Sequence, residues 1–273
     1  MTYTVVARAP GVVGAATCSH SMFLGAKTVH LAPEIPAIAV SQAFSSPAVG
    51  QAALADLRSG VPVTDAGRAA MEADDAGDLR QLLVVTPDGV AAATGAACVA
   101  AAGDGIAADG SLAVAGNMLA DDTVAPAMLA AADTQLEADL IDRLLGVLSA
   151  GEAAGGDFRG SRSAALVVLG GAAPVRLTID DHDDPVGELI RLAEAARADA
   201  VLRRCMAWLQ SGQPADADLR AAVDALAGRV RTAEAWAVLL AGGTADDAHD
   251  PFTRRMVAAF APIRDRFTTE DDR

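Results

Sequence analysis

Side chains that could do chemistry are most concentrated in residues 155–166, which read GGDFRGSRSAAL. This block lies between a helix-like stretch and an apolar strand-like stretch, and a polar, glycine-rich bend in that position can hold charged side chains beside a cleft. An arginine there can bind a substrate carboxylate through two hydrogen bonds. We therefore predict that Arg159 binds substrate, together with Asp157 and Ser163 of the same block. The alternative is a loop that ends a helix at a glycine and leaves the arginine in solvent.

The second candidate is the threonine that follows the initiator methionine. A small second residue normally permits removal of Met1, which would leave Thr2 with a hydroxyl and a free α-amino group. That amine titrates near ~7.7–8.0, so an appreciable fraction is neutral at working pH and can accept the hydroxyl proton. Thr2 would then be a nucleophile that carries its own base. Many proteins begin Met-Thr for no chemical reason, and that alternative stays open.

Three further groups of polar residues suggest chemistry less strongly. Asn117 follows a glycine at the end of a predicted strand, and its amide could stabilise an oxyanion, although a structural role is equally compatible with the position. Cys18 and His20 share a strand face and could form a dyad or a metal pair, but a cysteine on a strand is usually a small buried hydrophobe. Residues 180–184, DDHDD, could bind a divalent cation, but a helix-capping turn explains them better. No Walker loop, GxGxxG, GxSxG or HExxH motif occurs, and we predict neither a metal nor a cofactor.

The composition limits the class of protein. The chain has 273 residues, of which 52% are apolar and only 3% aromatic, so its core must consist of alanine, valine and leucine. A net charge of −15 argues against nucleic acid as a partner. Three widely spaced cysteines imply no disulfide framework, and no apolar run approaches the ~18 residues of a membrane span. Since Arg8 and Pro10 interrupt any signal sequence, we predict a cytoplasmic protein that contacts no membrane.

Hydropathy patterns predict a first part in which groups of strands and helices alternate. Strands are predicted at 2–7, 12–19, 37–42, 81–86, 90–94, 112–118, 164–169 and 174–179. Helices are predicted at 47–58, 64–71, 123–132 and 136–148. Turns at Pro10-Gly11 and at Pro87-Asp88-Gly89 make the sheets largely antiparallel. Two helices between two groups of strands predict an α+β fold, for which a four-layer αββα sandwich is the expected pattern, although periodicity leaves other α+β arrangements open.

The remainder of the chain shows helical patterns alone. Helices are predicted at 186–209, 216–230, 232–240 and 251–267. Asp184 is a natural N-cap and Pro185 a natural first helical residue. We therefore predict two domains, 1–183 and 184–273, of which the second is a helical C-terminal appendage. Such an appendage could join two copies of the chain, and we predict a homodimer.

Seven segments resemble, in the same order, a bacterial family called domain of unknown function 1028. They are MTYTVVAR (1–8), GVVGAA (11–16), SQAFSSPAVGQAALADLRSG (41–60), RQLLVVTPDGVAAATG (80–95), GNMLA (116–120), AAGGDFRGSRSAAL (153–166) and DDHDDPVGEL (180–189). The family is similar to the N-terminal-nucleophile (Ntn) hydrolases. The resemblance covers roughly residues 2–192 and implies an αββα sandwich in which Thr2 begins a strand.

The chain departs from the family pattern at several positions. A Ser-Lys-Phe-Leu element that follows the second strand in the family is Ser-Met-Phe-Leu here, beginning at Ser21, and the one lysine of the chain is Lys27. We include Ser21 among the predicted substrate-binding residues. Ala96 and Ala97 stand where relatives tend to have a glutamate, and residues 100–104 lack the tryptophan and His-Arg of the family. Such replacements remove substrate contacts or charge stabilisation.

Two functions are compatible with these observations. The first is an amidohydrolase that cleaves a small amide or N-acyl substrate, with Thr2 as nucleophile and with backbone N–H groups and Asn117 as oxyanion donors. The second is a catalytically inactive binding or assembly protein on the same fold. The sequence favours the first, because Thr2 stands at the start of a predicted strand.

Overall fold

The computed structural model describes residues 2–136, 138–171 and 174–268. Its strands are β1 (Thr2–Ala9), β2 (Val12–Ser19), β3 (Val29–Ala32), β4 (Ala37–Gln42), β5 (Gln81–Thr86), β6 (Gly89–Thr94), β7 (Gly103–Ile106), β8 (Leu112–Asn117), β9 (Ser163–Gly170) and β10 (Val175–Ile179). Its α-helices are α1 (Leu24–Thr28), α2 (Pro47–Arg58), α3 (Val63–Glu72), α4 (Val124–Thr134), α5 (Leu140–Ala153), α6 (Pro185–Leu209), α7 (Ala217–Asp224), α8 (Ala233–Leu240) and α9 (Pro251–Thr268). None of the helices in this part of the chain is long and apolar enough to cross a bilayer.

The larger of two antiparallel sheets has the strand order β10-β9-β2-β1-β8-β7. A tight turn joins β1 to β2, and Gly11 in it has φ +73°, a conformation that glycine adopts at little steric cost. Because β1 lies between β2 and β8, its first residue, Thr2, pairs with Asn117 of β8. The start of the strand is therefore held by a ladder of hydrogen bonds instead of fraying.

The smaller sheet has the order β3-β4-β5-β6, and one of its faces packs against the larger sheet. The core between the sheets contains Val6, Val13, Val40, Leu83 and Val85. Side chains alternate along β1, so that Val6 points into this core while Val5 and Ala7 point into the core on the opposite face. This alternation is the period of two on which the strand prediction rested.

Helices cover the outer face of each sheet. α4 and α5 pack on the larger sheet through a core that includes Met128, Leu144 and Leu148. α2 and α3 pack on the smaller sheet. Gly14 of β2 brings α5 close, since a Cβ at that position would lie 2.5 Å from Leu144 Cδ1. Small residues thus allow close contact between layers in a chain with few aromatic side chains.

Residues from Glu194 onward form a second compact unit, whose described part ends at Thr268. Its core is built from Cys205, Leu209, Leu219, Val223, Ala235, Trp236, Leu239, Leu240 and Val257. The rings of Trp236 and Phe260 lie 5.5 Å apart between centroids, within the range of a favourable aromatic pair. Both tryptophans of the chain, Trp208 and Trp236, belong to this unit.

The structure confirms a mixed α+β fold with antiparallel sheets. The boundary between the compact units falls between Ala193 and Glu194, inside α6, whereas we predicted one between 183 and 184. Asp184 does cap α6, since its Oδ1 accepts a hydrogen bond of 2.9 Å from Gly187 N.

Several elements differ from the sequence prediction. α1, β3 and β7 were not predicted, and β7 reads GDGI, which has no apolar alternation to reveal it. The helix predicted at 216–230 ends at Asp224, and turns with Gly228 at φ +72° follow it. The helix predicted at 136–148 begins at Leu140, because Asp139 caps it by accepting a hydrogen bond from Asp142 N. Glu137 lies outside the described residues.

Candidate active site

A small cavity lies beside the first residue of β1. Its volume is about 180 Å³, which is below the ~300–1,000 Å³ of pockets that enclose drug-sized ligands. The lining residues are Thr2, Ser21, Leu24, Lys27, Thr28, Gln42, Ala43, Phe44 and Ser45. They come from the start of β1, the segment from the end of β2 through α1, and the end of β4. Both sheets therefore contribute to this cavity.

Thr2 is held by polar contacts on its side chain and on its backbone. Its Oγ1 donates to Ser19 Oγ over 3.4 Å. Its carbonyl oxygen accepts from the amides of Gln42 and Asn117, each over 3.3 Å. The residue is only 4% exposed, and it borders the cavity. The hydroxyl of Thr2 is thus presented by a fixed backbone at the wall of a small chamber.

A buried network of neutral polar side chains fixes the two amides that hold Thr2. Gln81 Oε1 accepts from Gln42 Nε2 over 2.8 Å and from Asn117 Nδ2 over 2.9 Å. Gln81 Nε2 donates to Gly116 O over 2.7 Å. Gln42 Oε1 accepts from Thr4 Oγ1 over 2.5 Å. Buried networks whose members are all hydrogen-bonded hold a site in one arrangement.

Two predicted substrate-binding serines lie close to Thr2. Ser21 lines the cavity, and its backbone N donates to Ser19 Oγ over 3.0 Å, the same oxygen that accepts from Thr2. Ser163 donates from its Oγ to the carbonyl oxygen of Ser21 over 2.7 Å. The structure therefore brings Thr2, Asn117, Ser21 and Ser163 together. Ser163 does not line the cavity itself but contacts Ser21, which does.

The other two predicted residues, Asp157 and Arg159, do not line the cavity. The carboxylate of Asp157 is fully buried and accepts from His20 N and from Arg159 N, both over 2.9 Å. The guanidinium of Arg159 lies 3.3 Å from the same carboxylate. Gly160, at φ +84°, completes the bend, and its carbonyl oxygen accepts a hydrogen bond of 2.9 Å from the imidazole Nδ1 of His20. This loop ties the end of β2 in place.

Sequence reasoning missed Gln42, Gln81, Lys27 and Phe44. Gln42 and Gln81 stand at the ends of apolar strands, which is a weak signal for buried polar residues that meet across the fold. The signal for Lys27 was its uniqueness in the chain. Phe44 gave no signal, because its position depends on a left-handed backbone at Ala43 (φ +56°) and at Phe44 itself (φ +54°).

Sequence comparison places the residues of this site within one known family. Residues 2–189 match the model of a family described as a family of unknown function, DUF1028. The chain belongs to the DUF1028 family. A crystal structure of a Silicibacter pomeroyi protein from the same family is similar to it, with a TM-score of 0.64 and 32% sequence identity, over 71% of this chain and 88% of that one. No functionally curated protein matches the sequence.

On the face of β1 opposite the intersheet core, the DUF1028 protein buries a second polar cluster. Tyr3 donates from its hydroxyl to Glu152, and Ser161 Oγ donates to the same carboxylate oxygen over 2.7 Å. Burial raises the pKa of Tyr3 far above its usual value and that of the neighbouring Cys18 to about 12. Both shifts favour the neutral forms, which lack the charge that makes a phenolate or a thiolate nucleophilic.

The candidate metal ligands of the DUF1028 protein have structural partners. Cys18 is buried, as expected for a small hydrophobe on a strand. Asp181 and Asp183 form ion pairs with Arg162. Among the residues that the structure describes, no group of three or more His, Cys, Asp or Glu side chains could hold a metal ion.

A larger cavity of about 530 Å³ lies between α3 and β6. Its wall includes Gly67, Met71, Leu82, the alanines of β6 and Ile106. None of the predicted site residues of the DUF1028 protein lines it.

Proposed function

We propose that this protein is an Ntn-type amidohydrolase that cleaves a small amide or N-acyl substrate with Thr2 as nucleophile. The observation that carries the proposal is the position of Thr2, at the start of a central strand, held by its carbonyl oxygen, and beside a cavity. Two facing sheets covered by helices on both outer faces support the αββα sandwich of that superfamily. The proposal requires removal of Met1, which lies outside the described residues.

In the proposed reaction the Thr2 hydroxyl oxygen attacks the amide carbon while its proton passes to the α-amino group of the same residue. The tetrahedral intermediate collapses, the C–N bond breaks, and the amino group returns the proton to the departing nitrogen. An amine leaves, and the acyl group remains as an ester on Thr2. Water then adds to the ester, the C–O bond to Thr2 breaks, and a carboxylic acid is released.

The neighbouring residues have distinct roles in this proposal. Asn117 was predicted as an oxyanion donor, but both hydrogens of its amide are used, on Thr2 O and on Gln81 Oε1. We therefore assign it to positioning Thr2, which leaves backbone N–H groups as oxyanion donors. Ser21 contacts substrate in the cavity, and Ser163 fixes its backbone. Asp157 and Arg159 hold the loop that supports this wall.

The test is the intact mass of the purified protein before and after exposure to a β-lactone that acylates N-terminal threonine. We expect a mass without Met1 and one adduct per chain, located on Thr2 by peptide mapping. Thr2→Ser should keep the adduct because it keeps the hydroxyl, and Thr2→Ala should lose it. A retained Met1, or an equal adduct on Thr2→Ala, would contradict the proposal.

A non-catalytic ligand-binding protein on the same fold is the second candidate. The hydrogen bond from Thr2 Oγ1 to Ser19 Oγ favours it, since a hydroxyl whose hydrogen is donated to a neighbouring side chain is not directed at a base. Ala96 and Ala97, which carry no polar side chain, are compatible with it. A ligand that stabilises the protein without turnover, together with no adduct on a free Thr2, would establish this function instead.

The cytoplasmic location and the homodimer remain proposals as well. Light scattering of the purified chain at several concentrations tests the dimer, and a mass of 27.5 kDa at all of them would reject it.

A further inference from the structure

We propose that Lys27 binds a carboxylate group of the ligand in the Thr2 cavity while Phe44 covers an apolar part of the same molecule. The ligand class is then an amide that also carries a carboxylate and an apolar group, as N-acylated amino acids do. That this ligand is a substrate rests on the proposed hydrolase function. The binding itself does not require turnover.

Lys27 is the cationic residue in the cavity wall. Its Nζ donates to the carbonyl oxygen of Met22 over 2.8 Å, which uses one of the three hydrogens that an ammonium group has. Within the described ranges, no carboxylate forms an ion pair with it. Two hydrogens of a positive group therefore remain for a ligand at the edge of a small polar chamber.

Three arginines that lie close in sequence to site residues already form ion pairs with carboxylates. Arg80 lies 3.0 Å from Asp74, and Arg159 lies 3.3 Å from Asp157. Arg162 pairs with two aspartates. An anion that enters the cavity would have to break one of these pairs to reach a guanidinium, whereas Lys27 needs no such exchange.

The position of Lys27 is unusual in view of the net charge of the whole chain. A net charge of −15 disfavours the approach of anions to the protein as a whole. The single lysine of the sequence nevertheless lies on the cavity that holds Thr2. One cation in that place gives an acidic protein a local site for a negatively charged group.

The apolar part of the ligand is inferred from exposed aromatic side chains. All three phenylalanines of residues 2–193 are more than half exposed, namely Phe23 (52%), Phe44 (66%) and Phe158 (60%), although this unit has a core to fill. Phe44 lines the cavity, and the Phe23 ring centroid lies 5.8 Å from Lys27 Nζ. Large apolar side chains exposed together beside a cavity are typical of a binding surface.

The backbone at Phe44 supports the same conclusion. Ala43 and Phe44 both have positive φ, which residues with a Cβ adopt rarely. The guanidinium of Arg80 donates to the carbonyl oxygen of Phe44 and so holds this turn. A costly conformation that is held by a guanidinium from a partly buried ion pair, and that places a phenyl ring at a cavity, fits a functional constraint.

The binding test uses 4-phenylbutyrate and its neutral isostere 4-phenylbutyramide, titrated calorimetrically into the full chain carrying Thr2→Ala, which cannot be acylated. We expect the carboxylate to bind about tenfold more tightly than the amide, the effect of one charge-assisted hydrogen bond at a partly exposed site.

Lys27→Gln should bring this ratio of affinities to about one, and Lys27→Arg should restore most of the preference. Arg58→Gln removes an equal charge from an exposed residue outside the cavity, and the ratio should persist. Phe44→Ala should weaken both compounds about fivefold and leave the ratio unchanged.

Three results would overturn the inference. The first is that the preference for the carboxylate persists in Lys27→Gln. The second is that Arg159→Gln, and not Lys27→Gln, removes this preference. The third is that neither compound binds at millimolar concentration. The β-lactone adduct on Thr2 reports separately on the hydrolase. If the carboxylate is preferred through Lys27 but Thr2 forms no adduct, the Lys27 site stands and the hydrolase is rejected. If Thr2 forms an adduct but Lys27→Gln leaves the binding ratio unchanged, the hydrolase stands and the Lys27 site is rejected.

Discussion

The amide nitrogen of Asn117 donates to the carbonyl oxygen of Thr2 over 3.3 Å, across the ladder that pairs β1 with β8. Asn117 is the only asparagine of the chain, and its second amide hydrogen is donated to Gln81. The residue that we propose as nucleophile is therefore attached to the smaller sheet through two buried amides. Changes within this network should move Thr2 even where they do not touch the cavity.

Gln81→Leu should destabilise the unit of residues 2–193 by about 3 kcal/mol. The substitution removes the acceptor of one Asn117 amide hydrogen and of one Gln42 hydrogen bond, and it removes a donor to the carbonyl oxygen of Gly116. An unsatisfied buried polar group costs roughly 1–3 kcal/mol. Urea unfolding, followed by mass-resolved thiol labelling of the buried Cys18, measures the change. Gln51→Leu, at an exposed position of α2, is the matched control and should stay within about 0.5 kcal/mol. A Gln81 variant as stable as this control would show that the network does not contribute.

Gly50→Ala and Gly67→Ala should have opposite effects, although both lie in helices on the same sheet. A Cβ on Gly50 would lie 2.1 Å from Cδ2 of the buried His30 ring, so we expect a loss of about 2 kcal/mol. A Cβ on Gly67 would meet Ala91 and Val84 at 3.7 Å, which is ordinary contact, and helix propensity should then stabilise the protein by up to about 1 kcal/mol. The same urea assay compares the two. Equal effects of the two substitutions on stability would mean that α2 and β3 move apart at little cost to accommodate the added methyl group.

Acidification should lower the free energy of unfolding because His30 is buried. Its Nε2 is buried without a hydrogen-bond partner among the described residues, and burial lowers the pKa of the imidazole below its usual value. The unfolded chain therefore binds the proton more readily than the folded one. Stability is fully present above the unfolded pKa of about 6.5 and is lost as the pH falls below it. Urea midpoints at pH values on either side of that pKa should differ more for the native sequence than for His30→Leu; equal pH dependence would exclude this role.

The three thiols should react at different rates in the folded protein. Burial raises the pKa of Cys18 to about 12 and that of Cys205 to about 11, and both side chains are inaccessible. Burial also raises the pKa of Cys98, but this residue is partly exposed. Iodoacetamide at neutral pH should therefore modify Cys98 first, and all three only in urea. Rapid labelling of native Cys18 would show that the sheet opens at its centre.

Local sequence patterns predicted most of the strands and helices of the first unit. β2, β4, α2 and β5 have the predicted bounds, because alternation and turn residues are local signals. β7 was missed since it is a short glycine-containing edge strand. The sequence also placed Thr2 at the start of a strand and Asp184 at the start of a helix, as observed.

The environment of Thr2 was less predictable, because it depends on contacts between the two sheets. Gln42 lies on β4 and reaches Thr2 only when the smaller sheet packs on the larger one. Periodicity identifies the buried face of a strand but not its partner across a core. For Arg159 the decisive contact is local in sequence. We expected its side chain to face a ligand, but it pairs with the carboxylate of Asp157, two residues away.

The distribution of aromatic residues has a practical consequence. Both indoles, Trp208 and Trp236, lie in the helical unit, while the one tyrosine, Tyr3, is a buried residue of β1 in the other unit. An unfolding curve recorded by tryptophan emission at selective excitation therefore follows residues 194–268, and a curve recorded by the labelling of Cys18 follows residues 2–193. The native chain thus carries two independent reporters, which can show without any engineered probe whether its two units melt together or in turn.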